Sequence, residues 1–489
     1  MDAALERWLR DGAGEPHPCE RKIETSISWV FLYPDRALKL KKPVDFGFLD
    51  FTTLDRRRWA AERELVFNRA TAPELYRAVH AIRRREDGRL QFEGEGETVD
   101  WALEMARFDE RAVLSEQPQI VTGDFAETLG RQIARLHLAA PAGARGGGAA
   151  GLRYVAQSNA GHFRKLAPGL DPSRAERVIA ATETAIARHA DLLDGRLAGG
   201  FVRRCHGDLH LGNILLRNGQ PTPFDCIEFN DALSEIDVLY DLAFLVMDLG
   251  FRGQAEGANR VLNGWLDEVA RGLGKGLWAG LACLGPFQSV RAGVRAHVSA
   301  HSGDLALANR YLAAAQAHLE APAPKLIAVG GLSGSGKSTF ARALAPRLKP
   351  SPGAVVLRSD EIRKRLWRRA PTERLPPEAY SREASQQVYA AMFQAAGECL
   401  PASWPVILDA VFLRPAERTA AETIAVRAGV AFEGIWLQAA AKILRERIAG
   451  RRGDASDADL DVLEGQLALD PGEIAWTGDA AGALSRLSE

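Results

Sequence analysis

The hydrophobic and polar positions in the first part of the chain predict a small strand-rich part followed by a larger helical part. Residues 24–33 and 36–40 read as two strands around a Tyr-Pro-Asp turn, and the charged residues 53–69 read as an amphipathic helix. From about Thr122 onward the pattern is mainly helical, with a short strand-loop-strand around residues 205–229. This order indicates two lobes.

Two segments interrupt the pattern. Residues 139–151 (AAPAGARGGGAAG) are rich in Gly and Ala and predict a flexible loop. Residues 319–325 (LEAPAPK) carry two prolines, which end one helix and do not start another, so we place the main domain boundary near residue 322. Beyond it strands and helices alternate, which predicts a parallel α/β sheet with strands at residues 325–330, 354–358, 405–409 and 432–437.

A glycine-rich loop follows the first of these strands and begins a helix. Residues 331–338 (GLSGSGKS) fit G-x-x-x-x-G-K-[ST] in full, in the strand-to-helix context that the motif requires. The glycines let backbone N–H groups turn toward a polyphosphate, Lys337 would reach the β- and γ-phosphates, and Ser338 would supply a hydroxyl to Mg²⁺. The predicted nucleotide-binding residues are Gly331, Ser333, Gly334, Ser335, Gly336, Lys337, Ser338 and Thr339.

The end of the second strand carries Asp360, with Arg363 three residues further on. Because the carboxyl ends of parallel strands line the ligand crevice of such a sheet, Asp360 is placed to accept a proton from a substrate hydroxyl. Arg363, one helical turn later, would hold an anionic group of the substrate. The alternative is that Asp360 only caps the helix that follows.

Two further features complete the candidate C-terminal site. Asp409 ends the strand at residues 405–409 and would hold Mg²⁺ through water, unless it is only a residue of a strand-end turn. Arginines at residues 445–452 precede a flexible turn and suit a lid that closes over phosphates. Arg447 and Arg451 share a face at i, i+4, so we prefer this pair as nucleotide contacts over the alternative of a solvated helix face.

With these motifs, residues 325–489 resemble the small P-loop kinases of the polynucleotide kinase, gluconate kinase and zeta-toxin group, within the AAA-type P-loop domains. The spacing of Asp360 and Arg363 is similar to the base and substrate-binding pair of the polynucleotide kinase branch. The resemblance implies a three-layer α/β/α kinase domain with a parallel sheet at residues 322–489, using ATP and Mg²⁺. It does not name the substrate.

A second chemical motif lies at residues 205–216 (CHGDLHLGNILL). It contains H-x-D-x-x-x-x-N between apolar residues, the spacing of a protein-kinase catalytic loop. Phosphoryl transfer to a hydroxyl needs a carboxylate near the attacking oxygen and ligands for Mg²⁺ on the phosphates. Asp208 would be the base and Asn213 a metal ligand, while Asp225, at a strand end, offers a second acid for Mg²⁺.

On these residues, the chain up to residue 321 resembles the aminoglycoside phosphotransferase family, a branch of the protein-kinase-like fold. The run H-G-D-x-H-x-x-N is complete, and Asp225 matches the second metal-binding acid of the family. The resemblance implies an α+β fold of two lobes at residues 1–321. The small lobe would cover about residues 1–107 and the helical lobe about residues 108–321.

The same resemblance implies a strand lysine paired with a helix glutamate, which together hold the α- and β-phosphates of ATP. Lys39 and Glu64 are the preferred candidates, with Lys41 and Glu62 as alternatives. No G-x-G-x-x-G loop precedes Lys39, as is often so in sugar-kinase-like relatives. An adenine-binding hinge is expected near residues 104–107 from order along the chain.

The composition of the 489 residues narrows the class of protein. A hydrophobic content of 46% and a charged content of 26% exclude wholesale disorder and coiled coil, and a net charge of −1 excludes a surface built as a whole for nucleic acid. The five cysteines form no C-x-x-C pair, the N-terminal residues lack the apolar core of a signal peptide, and no run of about 18 apolar residues offers a membrane span. We therefore expect a cytoplasmic protein with no membrane partner.

A local basic cluster leaves one alternative partner open. Residues 363–369 combine several Arg and Lys side chains with Trp367, which is compatible with a nucleic-acid footprint. A solvated helix face with contacts to a phosphate-bearing substrate is the favoured interpretation of this cluster.

The preferred interpretation is a multidomain fusion of two ATP-dependent phosphotransferases, each transferring the γ-phosphoryl group of ATP to a hydroxyl of a small molecule. The resemblance extends to bacterial fusion proteins with this domain order. One alternative is an RNA or DNA end kinase assisted by the N-terminal module, and the other is a nucleotide-sensing regulator with one inactive module. Both catalytic acids and both phosphate lysines are present, which counts against the regulator. The acceptors and the oligomeric state stay open at this point.

Overall fold

The computed structural model describes residues 1–166, 169–320, 322–450 and 453–479 together with residues 482, 484 and 486. It divides into two compact units. The first unit comprises Met1–Pro118, Pro141–Gly146 and Arg203–Ile236, and the second comprises Gln119–Ala140, Gly147–Val202 and Asp237–Glu489. The boundary near residue 322 remains a prediction, because the second unit contains helices from before it and the sheet that follows it.

The helices and strands as far as residue 237 are, in chain order, α1 (Ala3–Arg10), β1 (Arg21–Glu24), β2 (Ser28–Leu32), β3 (Arg36–Lys41), α2 (Leu54–Arg69), β4 (Tyr76–Arg84), β5 (Leu90–Phe92), β6 (Glu97–Ala106), α3 (Gly123–Ala139), α4 (Gly148–Lys165), α5 (Pro172–Arg188), α6 (Ala190–Ala198), β7 (Val202–Arg204), β8 (Ile214–Arg217), β9 (Gln220–Pro223), α7 (Asp231–Ser234) and β10 (Glu235–Asp237).

The elements that follow are α8 (Val238–Phe251), α9 (Ala255–Val269), α10 (Leu284–His301), α11 (Leu305–Ala317), β11 (Lys325–Gly330), α12 (Lys337–Leu344), β12 (Val355–Arg358), α13 (Ser359–Leu366), α14 (Arg382–Cys399), β13 (Val406–Asp409), α15 (Pro415–Ala428), β14 (Ala431–Trp436), α16 (Ala441–Ala449) and α17 (Leu460–Leu467). Short 3-10 helices lie at Glu110–Ala112, Leu114–Glu116, Pro118–Ile120, Leu211–Asn213, Ala279–Cys283, Ala345–Arg347 and Pro377–Tyr380.

The first unit is built on a six-stranded antiparallel sheet with the strand order β1-β2-β3-β6-β4-β5. Strands β2 and β3 flank the predicted Tyr-Pro-Asp turn, where the N–H of Tyr33 donates to the carbonyl of Arg36 at 2.8 Å. Because side chains alternate along a strand, Lys39 and Lys41 lie on one face of β3. Strand β3 pairs with both β2 and β6, so these lysines sit in the interior of the sheet rather than at its edge.

Helix α2 confirms the helix predicted at residues 53–69 and presents an unusual inner face. Thr53 caps it by accepting from the N–H of Arg56 at 3.3 Å. The side chains that it buries include Arg57, Glu64 and Asn68, which recur with helical spacing. Buried polar side chains need hydrogen-bond or ionic partners within the fold. Helix α2 therefore contributes charged groups to the interior as well as apolar packing.

The helical part of the second unit is held by a buried polar contact among α3, α8 and α9. Trp265 Nε1 donates to His137 Nδ1 at 3.0 Å, and His137 Nε2 lies 3.1 Å from Asp241 Oδ2. Among the described residues no helix combines the length and the apolar character needed to cross a bilayer. The five cysteines are free thiols.

The flexible loop predicted at residues 139–151 is wrong over its last four residues, which form the first turn of α4. The glycines there serve close packing. A Cβ at Gly147 would lie 2.5 Å from Val202 Cγ2, and one at Gly148 would lie 2.5 Å from Asp194 Oδ1. A run of glycines that indicates flexibility in isolation therefore marks a tight contact in this fold.

The C-terminal part of the second unit confirms the predicted parallel α/β sheet. Strands β11, β12, β13 and β14 match the four predicted strands to within one residue at each end. They form a parallel sheet in the order β12-β13-β11-β14, so β12 is an edge strand.

Helix α9 covers the β12 edge with asparagine side chains. The N–H of Val356 donates to Asn263 Oδ1 at 2.7 Å, and Asn263 Nδ2 donates to the carbonyl of Ala354 at 3.1 Å. Asn259 Nδ2 reaches the same carbonyl at 3.0 Å. The amide of Asn263 thus satisfies a backbone donor and a backbone acceptor, as a neighbouring strand would.

We expect Asn263→Ala to lower the free energy of unfolding by about 1–3 kcal/mol, because the N–H of Val356 loses its acceptor in a covered position. Gln394→Ala is the matched control, since its exposed amide on α14 donates to Glu398 Oε1 at 3.2 Å, one turn further along the same helix. The control should change stability by about 0.5 kcal/mol at most. Urea unfolding of the full chain measures both, and equal effects would contradict the role given to Asn263.

Candidate functional site

The loop that contains the H-x-D-x-x-x-x-N run brings its two key polar residues together. Asn213 Nδ2 donates to Asp208 Oδ2 and to the Asp208 carbonyl, at 2.9 Å in both cases. Asn213 is buried, whereas the side chain of Asp208 is 39% exposed. Asp208 is therefore held in place by a buried amide and is still open to a ligand.

Asp225 is placed beside this loop by backbone and side-chain hydrogen bonds. The N–H of Phe224 donates to the Asn213 carbonyl at 3.0 Å, and the N–H of Asp225 donates to the Tyr76 hydroxyl at 2.9 Å. The N–H of the next residue donates to Asn68 Oδ1 at 3.0 Å, which ties the loop to α2. Asp225 has φ +60, a left-handed conformation that Asp tolerates better than most residues.

Lys39, Glu64 and Asp225, predicted from three separate segments, meet in the first unit. Lys39 Nζ lies 2.7 Å from Glu64 Oε1 and 2.6 Å from Asp225 Oδ1. Glu64 is fully buried, whereas Glu62, the alternative glutamate, pairs with Arg58 on the surface at 2.8 Å. Side-chain geometry thus favours Lys39 with Glu64.

Sequence reasoning named Lys41 only as an alternative to Lys39 and missed Glu228, which pairs with Lys41 in the second half of this charge cluster. Lys41 Nζ lies 2.6 Å from Glu64 Oε2 and also contacts Glu228 Oε1, and both Lys41 and Glu228 are buried. Glu64 therefore serves two lysines. The only sequence signal for Glu228 was that it lies among apolar residues, three positions after Asp225. This local pattern does not indicate Lys41, far earlier in the chain, as its partner.

The cluster shifts the pKa values of its members. Burial opposes ionisation of Glu64, but the ammonium groups of Lys39 and Lys41 outweigh it and lower its pKa to about 2. Burial likewise opposes the charge of each lysine, yet the neighbouring carboxylates raise the pKa of both. Burial raises the pKa of Glu228 in spite of Lys41. At neutral pH the charges on Lys39 and Glu64 are therefore fixed.

The donor set of the first unit fits Mg²⁺ and phosphate. Asp225 is 44% exposed and offers carboxylate oxygens beside the Asn213 loop, and oxygen ligands of this kind are the ones that Mg²⁺ prefers. Lys39 adds a fixed positive charge at the same carboxylate.

The glycine-rich loop in the second unit has the shape predicted for polyphosphate. Gly331, Gly334 and Gly336 have φ values of +141, +84 and +95, and a Cβ at Gly334 would lie 2.9 Å from the Leu444 carbonyl oxygen. The loop leads directly into α12, which begins at Lys337 and includes Ser338 and Thr339. Within the described structure, Ser335 Oγ is buried without a hydrogen-bond partner, an arrangement that fits a ligand with many acceptor oxygens.

Helices α16 and α17 hold this loop. Arg447 Nη1 donates to the Gly334 carbonyl at 3.1 Å. The N–H of Ser333 donates to Gln466 Oε1 at 2.9 Å, and Gln466 Nε2 donates back to Ser333 Oγ at 3.1 Å. Of the predicted pair of lid arginines, Arg447 therefore lies at the loop, while Arg451 lies outside the described residues. Gln466 was missed, because nothing in its sequence neighbourhood points to the loop.

Asp409, the predicted Mg²⁺ acid, lies at the end of β13 and is 2% exposed. Parallel pairing sets Arg358 of β12 directly beside it, with Arg358 Nε 3.3 Å from Asp409 Oδ2. Neither carboxylate oxygen of Asp409 accepts a hydrogen bond from any described residue, so both remain able to accept one from a metal-bound water. The donor set of Asp409 and Ser338 fits the predicted Mg²⁺.

Asp360 lies in the first turn of α13, and Arg358, not Asp360, occupies the N-cap position. The capping alternative for Asp360 therefore has no support in the structure. Arg363, its predicted partner, is buried and directs its two terminal nitrogens at the Ala379 carbonyl and at Ser385 Oγ, the latter at 3.3 Å. Its role toward a substrate anion stays a prediction.

Arg358 is a further residue that sequence reasoning missed. Its Nη1 lies 3.1 Å from Glu361 Oε1 and its Nη2 lies 3.1 Å from Asp454 Oδ1, in addition to the Asp409 contact. Glu361 lies in turn 3.6 Å from Arg131 of α3. The sequence signal for Arg358 was that it ends an otherwise apolar strand. A cation buried at such a position needs an acidic partner that is also buried.

Most charges of the basic cluster at residues 363–369 are paired within the chain. Lys364 Nζ lies 2.7 Å from Asp457 Oδ1, and Arg365 Nη1 lies 2.9 Å from Asp267 Oδ1. Arg369, the last arginine of the cluster, pairs with Glu373 at 2.6 Å. Paired charges attract an external polyanion less than free ones do.

Comparisons with known proteins match two separate parts of the chain to protein families. A family model described as "Phosphotransferase enzyme family" matches residues 61–279, and a model described as "AAA domain" matches residues 326–470. Uncharacterized protein Rv2004c of Mycobacterium tuberculosis (strain H37Rv) is 29% identical over 488 residues, covering 92% of this chain and 91% of that protein.

Solved structures with similarity to the chain include two kinases. An ethanolamine kinase of Plasmodium vivax is 12% identical with a TM-score of 0.39, covering 63% of this chain and 83% of its own. A sugar kinase of Janibacter sp. HTCC2649 is 18% identical with a TM-score of 0.26, covering 34% of this chain and 92% of its own. By the family models, residues 61–279 are a domain of the phosphotransferase enzyme family with the protein-kinase-like fold of the aminoglycoside phosphotransferases, and residues 326–470 are an AAA-type P-loop domain.

Proposed function

We propose that the chain is an ATP-dependent phosphotransferase with two modules, each of which transfers the γ-phosphoryl group of ATP to a hydroxyl of a small-molecule acceptor. The observation that carries the proposal is the meeting of Lys39, Glu64 and Asp225 beside the loop that holds Asp208 and Asn213. The glycine-rich loop of the second unit supports a separate nucleotide site.

In the N-terminal module, Asp208 is the base. Its carboxylate is exposed enough to meet an acceptor hydroxyl, and the hydrogen bond from Asn213 fixes its orientation. Asp208 accepts the hydroxyl proton as the hydroxyl oxygen attacks the γ-phosphorus, while the bond from that phosphorus to the bridging oxygen breaks and ADP leaves. Lys39, which Glu64 holds in position, binds the phosphates. Asn213 and Asp225 would hold Mg²⁺, which when bound neutralises charge on the phosphates.

In the C-terminal module, Lys337 and the backbone of the glycine-rich loop hold the phosphates, and Arg447 steadies that loop through its carbonyls. Asp360 would accept the proton of the acceptor hydroxyl. Ser338 and Asp409 would hold Mg²⁺, the latter through water.

Charge pairing supports a small molecule over a nucleic acid as the acceptor of this module. Lys364 pairs with Asp457 and Arg365 pairs with Asp267, which lowers the free positive charge of the predicted basic face. A nucleic-acid end kinase would need a continuous basic track along the phosphate backbone.

Transfer of label from γ-labelled ATP to a panel of hydroxyl metabolites and 5′-hydroxyl oligonucleotides tests the proposal. We expect Asp208→Asn and Lys337→Ala each to lose a different labelled product, by a factor on the order of 10² or more, because each removes a group that acts on the reacting phosphate.

If both variants keep full transfer to every acceptor found, the proposed sites are wrong. Loss of the same product in both variants would contradict two independent modules. Labelling confined to oligonucleotides, with a steep dependence on salt, would replace the small-molecule acceptor by a nucleic acid.

The two lysines of β3 should separate into one that binds phosphate and one that supports the fold. Lys39→Met should lower transfer by the N-terminal module on the order of 10²-fold and leave most of the stability, since Glu64 keeps Lys41. Lys41→Met should lower the free energy of unfolding by about 3–5 kcal/mol, because it leaves buried Glu228 without its cation.

Transfer rates and urea unfolding on both variants check this assignment. The reverse outcome, in which Lys41→Met is stable but inactive and Lys39→Met is active, would make Lys41 the lysine that binds phosphate.

A further inference from the structure

Three histidines of the second unit come together outside both phosphate sites. His162 lies in the last turn of α4, and His297 and His301 lie in the last turns of α10. The spacing of four residues places His297 and His301 on one face of α10, where they meet His162. No step of the proposed reactions uses any of them.

The ring nitrogens are close enough to share one ion. His162 Nδ1 lies 3.1 Å from His301 Nε2, and one nitrogen from each of the three rings lies within 4.8 Å of the other two. Two imidazole nitrogens on a tetrahedral zinc ion, each at about 2.0–2.1 Å from the metal, stand about 3.3–3.4 Å apart. The separation of His162 Nδ1 and His301 Nε2 is close to this value, and a nitrogen of His297 lies within 4.8 Å of both.

The surroundings of His162 and His297 favour the neutral imidazole, which is the form that binds metal. Burial and the neighbouring histidines lower the pKa of His297 to about 3, and burial also lowers the pKa of His162. His297 Nδ1 is buried and has no hydrogen-bond partner among the described residues. The rings of His162 and His297 stack with their centroids 4.3 Å apart, so one ring must turn about its side-chain torsions for both lone pairs to meet one ion.

A metal ion explains the cluster better than packing alone. One hydrogen bond joins His162 Nδ1 and His301 Nε2, and the rings repel one another when protonated, whereas a bound cation would use a lone pair of all three rings. His301 is exposed, which gives an ion a path from solvent. Imidazole suits zinc, copper and nickel, while Mg²⁺ and Ca²⁺ prefer oxygen ligands.

We propose that His162, His297 and His301 are the ligands of a site for a divalent transition-metal ion. Zn²⁺ is the ion used to test this site. The ion joins α4 to α10, and three protein ligands leave one tetrahedral position for water. The proposal stands independently of the phosphotransferase reactions, because it involves none of their residues.

Calorimetric titration of Zn²⁺ into the full, tag-free chain after removal of metals by chelation tests the site. We expect one site per chain, no comparable binding of Mg²⁺, and an increase in Tm on addition of Zn²⁺. His301→Ala should weaken binding at least about 100-fold, since changing even a residue behind a metal ligand costs about 10–100-fold. His301 is exposed, so this variant should fold like the wild type.

His17→Ala is the matched control, because His17 is exposed and belongs to the first unit. It should bind Zn²⁺ as the wild type does. His162→Ala supplies a second test from the other helix and should lose the Zn²⁺-dependent increase in Tm. Absence of a stoichiometric Zn²⁺ site in the wild type, or binding that persists in both His301→Ala and His162→Ala, would overturn the proposal.

Discussion

Glu64 holds two lysine ammonium groups at once, and the arrangement of the N-terminal site depends on this sharing. Its carboxylate oxygens lie 2.7 Å from Lys39 Nζ and 2.6 Å from Lys41 Nζ in a fully buried position. A buried carboxylate without partners is strongly unfavourable, so the packing of β3 against α2 has to supply at least one cation, and it supplies two. That packing also leaves Lys39 next to Asp225, where phosphate chemistry needs it.

The C-terminal site meets the same requirement with the signs reversed. Arg358 is a buried cation beside Asp409, Glu361 and Asp454, and the pairing of β12 with β13 decides which acid lies next to it. Both sites therefore hold their charges in fixed positions before any ligand binds. In a poorly hydrated environment, fixed charges act on a transferring phosphoryl group more strongly than they would in water.

The sequence was sufficient to predict the elements that have a recognisable pattern of neighbouring residues. The four strands of the parallel sheet and the glycine-rich loop have local patterns. Asp225 was predicted as an acid at a strand end, and the resemblance to the aminoglycoside phosphotransferase family led to Lys39 and Glu64. Contacts that depend on tertiary packing could not be predicted from the sequence. Glu228 meets Lys41 across 187 positions, and the asparagines of α9 reach the edge of β12 across more than 90. The glycines near residue 147 indicated flexibility, because their close neighbours become visible only in the fold.

Counting nucleotide sites tests the central claim, two phosphotransferase modules in one chain, most directly. Calorimetric titration of the full chain with a non-hydrolysable ATP analogue and Mg²⁺ should give two sites for the wild type and one for Lys337→Ala. A single site in the wild type, or two undiminished sites in Lys337→Ala, would contradict the account.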